Sequence, residues 1–349
     1  MMNSHQTYIH RCLELAQNGI GTTYPNPLVG SVIVHKDKII GEGWHKKPGG
    51  SHAEVIAIEA VKDKNLLKES TLYVNLEPCS HFGKTPPCAD LIIEYEIPKV
   101  VIGTIDPFAE VCGNGISKLK NAGVEVEFGF LEKECNELNK RFFTFHQKKR
   151  PYIILKWAQT QNGFIAPLHK DHNRPVWISN EFSRQLVHKW RSEEQAILVG
   201  TNTVLQDNPK LNTRDWKGEN PARIILDREL KIPEDYSVYD NRSKTIFITE
   251  KHKISNQKNL FFETINFKNN LNSQILDILY KHKIQSVIIE GGAKVLQSFI
   301  DDNLWDEARI FTSYLTLKKG IKAPDFNSKK HSETFILKDN LSLFYNSQQ

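Results

Sequence analysis

The chain has 349 residues, 39% of them hydrophobic and 25% charged, with 46 basic against 41 acidic side chains and a net charge of +5. That length implies about two domains, and the charge is too small and too scattered to mark a nucleic-acid surface, although an anionic small molecule fits it. No run of about 18 apolar residues occurs and Met1-Met2-Asn3-Ser4 opens no apolar leader, so the expectation is a cytoplasmic protein without a membrane span.

Ile9, Cys12, Leu13 and Ala16 recur at helical spacing and Gly19 can end the last turn, so an amphipathic helix is predicted first. Strands at 29–34 and 39–41 read as a hairpin around Lys36-Asp37-Lys38. A helix at 53–61, a strand at 71–75, a helix at 89–94, a strand at 100–103, a helix at 115–122 and a strand at 124–128 follow. This alternation implies one α/β sheet covered by helices. A helix over about 132–145 leads to Gln147-Lys148-Lys149-Arg150-Pro151, a charged run ended by proline, which predicts domains at 1–147 and 148–349. The second domain is again α/β, with strands at 152–156, 196–199, 223–226, 245–248 and 286–289 and helices at 181–190, 270–281 and 293–300. Residues 251–259 read as an exposed loop, and the pattern after Lys329 is weak. Cys12, Cys79, Cys88, Cys112 and Cys135 are odd in number and show no framework spacing, so disulfides are not expected; Cys12, Cys112 and Cys135 read as structural or incidental.

Chemistry concentrates in His52-Ala53-Glu54, Pro78-Cys79 and, after eight intervening residues, Cys88. One imidazole and two thiolates suit Zn²⁺, and three protein ligands leave the fourth tetrahedral position to water, as in catalytic rather than structural sites. Such water ionises near roughly pH 7. Glu54, two residues past the histidine at the start of a helix, is placed to take that proton and return it to a leaving amine. His-x-Glu with Pro-Cys-x-x-Cys marks zinc nucleobase deaminases, in which the glutamate is the acid/base and not a ligand. Here the second cysteine spacing is longer. His-Ala-Glu alone carries no weight, and two distant cysteines are commonly small buried hydrophobes; the joint pattern of helix starts, strand and proline-flanked cysteines points to zinc.

Tyr24-Pro25-Asn26-Pro27-Leu28-Val29-Gly30, Gly49-Gly50-Ser51-His52-Ala53-Glu54 and Glu77-Pro78-Cys79-Ser80-His81-Phe82-Gly83-Lys84-Thr85-Pro86-Pro87-Cys88 closely resemble the bifunctional deaminase/reductase family of riboflavin biosynthesis. The long insert between the cysteines is that family's mark. The resemblance implies a cytidine-deaminase-like α/β/α domain that hydrolytically deaminates a 2,5-diamino-6-ribosylaminopyrimidinone 5'-phosphate. It makes His52, Cys79 and Cys88 zinc ligands and Glu54 the proton shuttle. Asn26, His45, His81 and Lys84 become substrate residues, with Lys84 facing the phosphate. On the residues alone, Asn26 reads as a turn residue and Lys84 as a solvated loop charge.

The resemblance continues through Lys156-Trp157-Ala158-Gln159-Thr160, Trp177-Ile178-Ser179, His188-Lys189-Trp190-Arg191, residues 200–209, residues 211–214 and Glu290-Gly291-Gly292-Ala293. It implies a dihydrofolate-reductase-like α/β domain that uses NADPH to reduce the ribose to a ribityl chain. Ala158, Trp177, Thr203, Asp207, Gly292, Ala293, Lys294, Val295, Leu296, Gln297 and Ser298 match cofactor positions, and Arg191, Leu211, Arg214 and Glu290 match substrate positions. Physically, Glu290-Gly291-Gly292-Ala293 ends an apolar strand and opens a helix, where backbone N–H groups can meet a phosphate. A glycine pair alone is usually just a turn. Arg191 and Arg214 are suited to a bidentate grip on phosphate.

Two residues depart from the family pattern. Phe108 stands where Asp-Pro-Asn is usual, and Asn162 stands where a Leu-Asp-Gly turn has its aspartate; a turn-shaping role lets Asn162 substitute. Three readings stand beside the two-step enzyme. One is a deaminase whose second domain has lost reduction; another is a nucleic-acid base deaminase, which the cysteine spacing and the lack of a basic, aromatic-interleaved surface disfavour. The third, a non-enzymatic zinc module, lacks a fourth ligand. The implied partner is a phosphorylated pyrimidine, with no nucleic acid and no membrane, and the oligomeric state, a homo-oligomer included, stays open.

Overall fold

Runs rich in Val, Ile and Leu build the three inner strands of the first sheet, which are covered on both faces. Strands β1 (Gly30–His35), β2 (Lys38–Trp44), β3 (Thr71–Leu76), β4 (Lys99–Thr104) and β5 (Glu125–Phe128) lie in the order β2-β1-β3-β4-β5. β1 is antiparallel to β2 and β3, whereas β3, β4 and β5 are parallel. Helix α1 (Ser4–Gln17) buries Ile9, Cys12, Leu13 and Leu15 against Val32, Tyr73 and Val101. A fully buried side chain such as Ile9 contributes about 1.5–3 kcal/mol. Helices α2 (Ala53–Ala60), α3 (Cys88–Glu94) and α4 (Asn114–Asn121) cover the other face through Ala57, Ile58, Ala89, Ile92, Ile116 and Leu119.

The computed structural model describes residues 4–80, 86–107, 113–168 and 176–346. It divides into two units, Met1–Lys149 and Arg150–Gln349. The continuous helix predicted over 132–145 is instead two, α5 (Glu132–Leu138) and α6 (Lys140–Lys148), separated at Asn139. Asparagine side chains that bond elsewhere compete with helix continuation, and the Asn139 amide is committed to Leu28.

In the second unit, β6 (Tyr152–Thr160), β7 (Phe164–Pro167), α7 (Glu181–Glu193), β8 (Ala196–Gly200), α8 (Thr201–Asp207), β9 (Ala222–Leu226), β10 (Thr245–Thr249) and β11 (Leu260–Thr264) come first. Then follow α9 (Leu271–Lys281), β12 (Ser286–Gly291), α10 (Ala293–Asp301), β13 (Glu307–Ser313), β14 (Gly320–Lys322), β15 (Lys330–Ile336) and β16 (Asp339–Tyr345). A nine-stranded sheet runs β11-β10-β9-β8-β12-β6-β13-β16-β15, parallel from β11 to β13 and antiparallel thereafter, and β14 pairs with β7. Its core centres on Ile153, Leu155, Leu198, Ile224, Ile246, Val287, Ile289 and Phe299.

The weakly patterned end of the chain is therefore a β15–β16 hairpin. β13 escapes hydrophobic periodicity because it buries Glu307 and Arg309, which pair at 2.6 Å, with Tyr152 donating to Glu307 and Glu194 3.5 Å from Arg309. Residues 251–259 form no regular element. Among the described residues no helix is long and apolar enough to cross a membrane.

Candidate functional site

Every deaminase residue that can be located lies at one edge of the first sheet. β1 begins beside the end of β3, since Ser31 faces Val74 and Gly30 faces Trp44. Asn26 before β1, His45 after β2 and Cys79 after β3 consequently emerge at the same edge, the carboxyl end of the parallel strands, where ligands bind in α/β sheets. α2 and α3 begin there, with His52 at the N-cap of one and Cys88 opening the other. α2 can reach this edge because β2 has no side chain at Gly41 and Gly43: a Cβ on Gly41 would lie 2.2 Å from the Ala57 carbonyl, and one on Gly43 2.6 Å from that of Ala53.

His52 Nδ1 stands 3.5 Å from Cys79 Sγ and 3.3 Å from Cys88 Sγ, with all three ligand atoms within 4.8 Å of one another. Bonds of about 2.05 Å to nitrogen and 2.3 Å to sulfur at tetrahedral angles imply ligand-to-ligand edges of about 3.6 Å, so the trio fits zinc. The hydrogen bond from Cys88 pulls the Cys79 thiol down to about 4 despite its burial, and the same bond together with burial pushes Cys88 up. The Cys88 backbone N–H also donates to Cys79 Sγ at 3.3 Å, stabilising a thiolate. His52 rises to about 9, chiefly through its bond to Cys79. Glu54 is 3% exposed, and burial raises its carboxyl to about 6.

Asn26 Nδ2 lies 3.0 Å from His45 Nε2, and His45 Nδ1 lies 3.1 Å from the Ser51 carbonyl. Burial lowers the pKa of His45, so it is a neutral imidazole with its proton on Nδ1, accepting from Asn26. His81 and Lys84, like Phe108, lie outside the described residues.

Sequence reasoning missed Glu77. Its buried carboxylate accepts from the backbone N–H groups of Asp106, Gly113, Gly115 and Ile116 at 2.9–3.3 Å. Two positions before Cys79, it ties the end of β3 to the start of α4. A Cβ on Gly115 would come within 2.1 Å of the Pro78 carbonyl, so the two backbones touch. Only its place in Glu77-Pro78-Cys79 could have drawn notice.

The second unit holds a cavity of about 820 Å³ at the carboxyl ends of β6, β8 and β12. Ala158, Trp177, Thr203, Asp207 and residues 292–296 line it, together with Arg191, Leu211, Arg214 and Glu290. Gln297 and Ser298 do not line it. They lie one turn further along α10, Gln297 bonding Asp301 and the Asp325 backbone, Ser298 bonding Val295 and Asn272. At the strand-to-helix junction Gly291 has φ +145, and a Cβ on Gly291 or Gly292 would stand 3.5 or 3.4 Å from Thr203 Oγ1, so the glycines leave a cradle open at the start of α10.

Arg191 is not free to grip a phosphate with its fork as expected: Nε and Nη2 bond Glu290 at 3.0 and 2.7 Å, and Nη1 donates to the Asn212 carbonyl. Arg214 is half-exposed at the cavity rim, 3.6 Å from Asp215. Lys156, also overlooked, lines the cavity 4.0 Å from Glu290. Burial lowers the pKa of Lys156; it pushes Glu290 upward too, but Arg191 and Lys156 outweigh it and hold that carboxyl at about 2. Asn162 accepts from Leu317 N and donates to Leu317 O, which makes it a shaper of its turn.

Residues 2–104 match the zinc-binding region of cytidine and deoxycytidylate deaminases, and residues 151–317 match the RibD C-terminal domain. Fold and site together define a zinc-type deaminase domain joined to a reductase domain. The riboflavin biosynthesis protein RibD of Aquifex aeolicus is 40% identical over 94% of this chain and 92% of its own length, and that of Synechocystis 41% over 83% and 79%. The crystal structure of the diaminohydroxyphosphoribosylaminopyrimidine deaminase/5-amino-6-(5-phosphoribosylamino)uracil reductase of Thermotoga maritima is 38% identical, covers 98% of both chains and superposes with a TM-score of 0.89. Acinetobacter baumannii RibD, at 31% identity and the same coverage, also gives 0.89. The chain belongs to the RibD family, the bifunctional deaminase/reductases of riboflavin biosynthesis.

Proposed function

We propose that the first unit hydrolyses the exocyclic amine of 2,5-diamino-6-ribosylaminopyrimidinone 5'-phosphate, and that the second uses NADPH to reduce the ribosyl chain of the product, giving 5-amino-6-ribitylaminouracil 5'-phosphate. The juxtaposition of His52, Cys79 and Cys88 beside buried Glu54 carries the first half. Zinc bound there supplies Lewis acidity and an acidified water. Glu54 takes a proton from the attacking water and delivers it to the departing amine, so that water and amine are exchanged for carbonyl and ammonia. Asn26, its amide held by neutral His45, orients the ring through its remaining hydrogen-bonding groups, with His81 and Lys84 as further substrate contacts, Lys84 for the phosphate.

For the second half, the cradle at Gly291-Gly292 and the start of α10 suit the cofactor's phosphates, with Ala158, Trp177, Thr203 and Asp207 around the remainder. NADPH supplies a hydride when bound. Arg214 attracts the substrate phosphate at the rim, while Arg191 holds Glu290 in place and Lys156 presents an ammonium proton at the cavity floor. The turn-shaping bonds of Asn162 favour an intact reductase over a domain that has lost reduction.

Metal removal tests the division of labour. Protein stripped by a chelator is expected to release no ammonia from the diaminopyrimidine phosphate and to recover when Zn²⁺ is returned, yet still to oxidise NADPH when given the deaminated intermediate. Deamination that persists without metal overturns the reading of the first unit.

A further inference from the structure

The ladder between β1 and β3 ends at Ser31 and Val74, yet the chain before it does not leave the sheet edge freely. Leu28, two residues past Asn26, has both of its backbone groups bound by side chains. Its N–H donates to Asn139 Oδ1 at 2.8 Å, and its carbonyl accepts from Asn139 Nδ2 at 2.9 Å and from Asn75 Nδ2 at 2.9 Å. Asn75 Oδ1 then accepts from Gly30 N–H at 2.7 Å. The two asparagines are 0% and 2% exposed. A primary amide presents one donor and one acceptor side by side, as a neighbouring strand does, so Asn139 replaces the missing strand for one residue. Only one amide orientation satisfies both backbone groups; a flip sets donor against donor.

Asn139 comes from the break between α5 and α6, 111 residues from Leu28 in sequence and beyond the 2–104 region matched to zinc deaminases. On the other side of the clamped segment, Asn26 meets His45, whose own N–H donates to the Val29 carbonyl. The backbone from 26 to 30 is thus fixed at 28 and 30 by buried amides and at 29 by the residue Asn26 touches.

We propose that Asn139, with Asn75, is a positioning residue of the deaminase: it holds Leu28 so that Asn26 is presented to the substrate at fixed depth, and the α5–α6 corner is part of the deaminase pocket. This rests on the reading of Asn26 as a substrate contact. Loss of a clamp bond lets Asn26 drift and weakens substrate binding without touching the metal ligands.

A double-mutant cycle on the zinc-loaded full chain tests it, reading KM for the diaminopyrimidine phosphate and zinc per chain. Asn26→Ala and Asn139→Ala are each expected to raise KM on the order of tenfold, the weight of one lost hydrogen bond. If Asn139 acts through Asn26, the double variant is no worse than Asn26→Ala alone, and all three keep one zinc per chain. Should Asn139→Ala not fold, Asn75→Ala, which removes the other side-chain donor to the Leu28 carbonyl, takes its place in the same cycle. Multiplying losses in the double variant, or zinc lost from the Asn139 variant, overturns the proposal by making Asn139 a general structural residue. An unchanged KM in Asn26→Ala beside a raised one in Asn139→Ala instead overturns the reading of Asn26, and the proposal falls with it.

Discussion

Glu54 and Cys88 sit within one site, and the proposed function assigns them separable jobs that single substitutions test. Glu54→Gln keeps the shape of a buried side chain and all three ligand residues, so zinc per chain stays at the wild-type value. Ammonia release falls by about 10²- to 10⁴-fold, the usual worth of positioned proton transfer. Cys88→Ala removes a ligand, and elemental analysis is expected to find the metal lost. A Glu54→Gln enzyme with near-normal ammonia release contradicts the shuttle role. The ligand trio was legible because its residue types, spacing and helix starts announce metal chemistry. Glu77, Lys156, Asn75 and Asn139 were not, because their roles lie in partners far along the chain: Asn139 reads as a polar helix residue until the fold brings Leu28 to it. Arg191 was read by type, which suits phosphate and carboxylate equally, and the nearby carboxylate of Glu290 engages it.

At the scale of elements, the placement of α2 decides whether His52 and Glu54 reach the sheet edge, and that placement depends on Gly41 and Gly43. In Gly43→Ala the new Cβ would sit 2.6 Å from the Ala53 carbonyl and 2.7 Å from the Ala57 nitrogen, both backbone atoms that can yield only if the helix moves. A displacement near 1 Å costs catalysis about 10²-fold. Deamination is expected to drop by that order while reduction of supplied intermediate is unaffected; full deaminase activity in Gly43→Ala contradicts the packing argument. Sequence periodicity found the elements whose apolar residues are continuous, such as β4 and β8. It lost β13, where a paired Glu307 and Arg309 interrupt the pattern, and β15, an edge strand with most of its residues exposed. The α5–α6 corner was invisible because nothing local breaks the helix; a long-range amide bond does.

For the whole molecule, the charged run at 147–151 and the division after Lys149 concern the same stretch, but the structure refines where a cut belongs. α6 runs to Lys148, and Arg150 bonds Asp306 at 2.6 and 2.8 Å, so Arg150 goes with the second unit. Residues 1–149 expressed alone are expected to fold, bind zinc and release ammonia, and residues 150–349 to bind NADPH; an insoluble first fragment contradicts independent cores. If two chemistries run in order along one chain, a single coupled assay reads both. Zinc-loaded full-length protein is given the diaminopyrimidine phosphate and NADPH, with ammonia and NADPH absorbance followed together. One NADPH oxidised per ammonia released is predicted, after a lag, with both signals abolished in Glu54→Gln and NADPH oxidation alone restored by adding the deaminated intermediate. Ammonia release without NADPH oxidation, or NADPH oxidation undiminished in Glu54→Gln, contradicts that order.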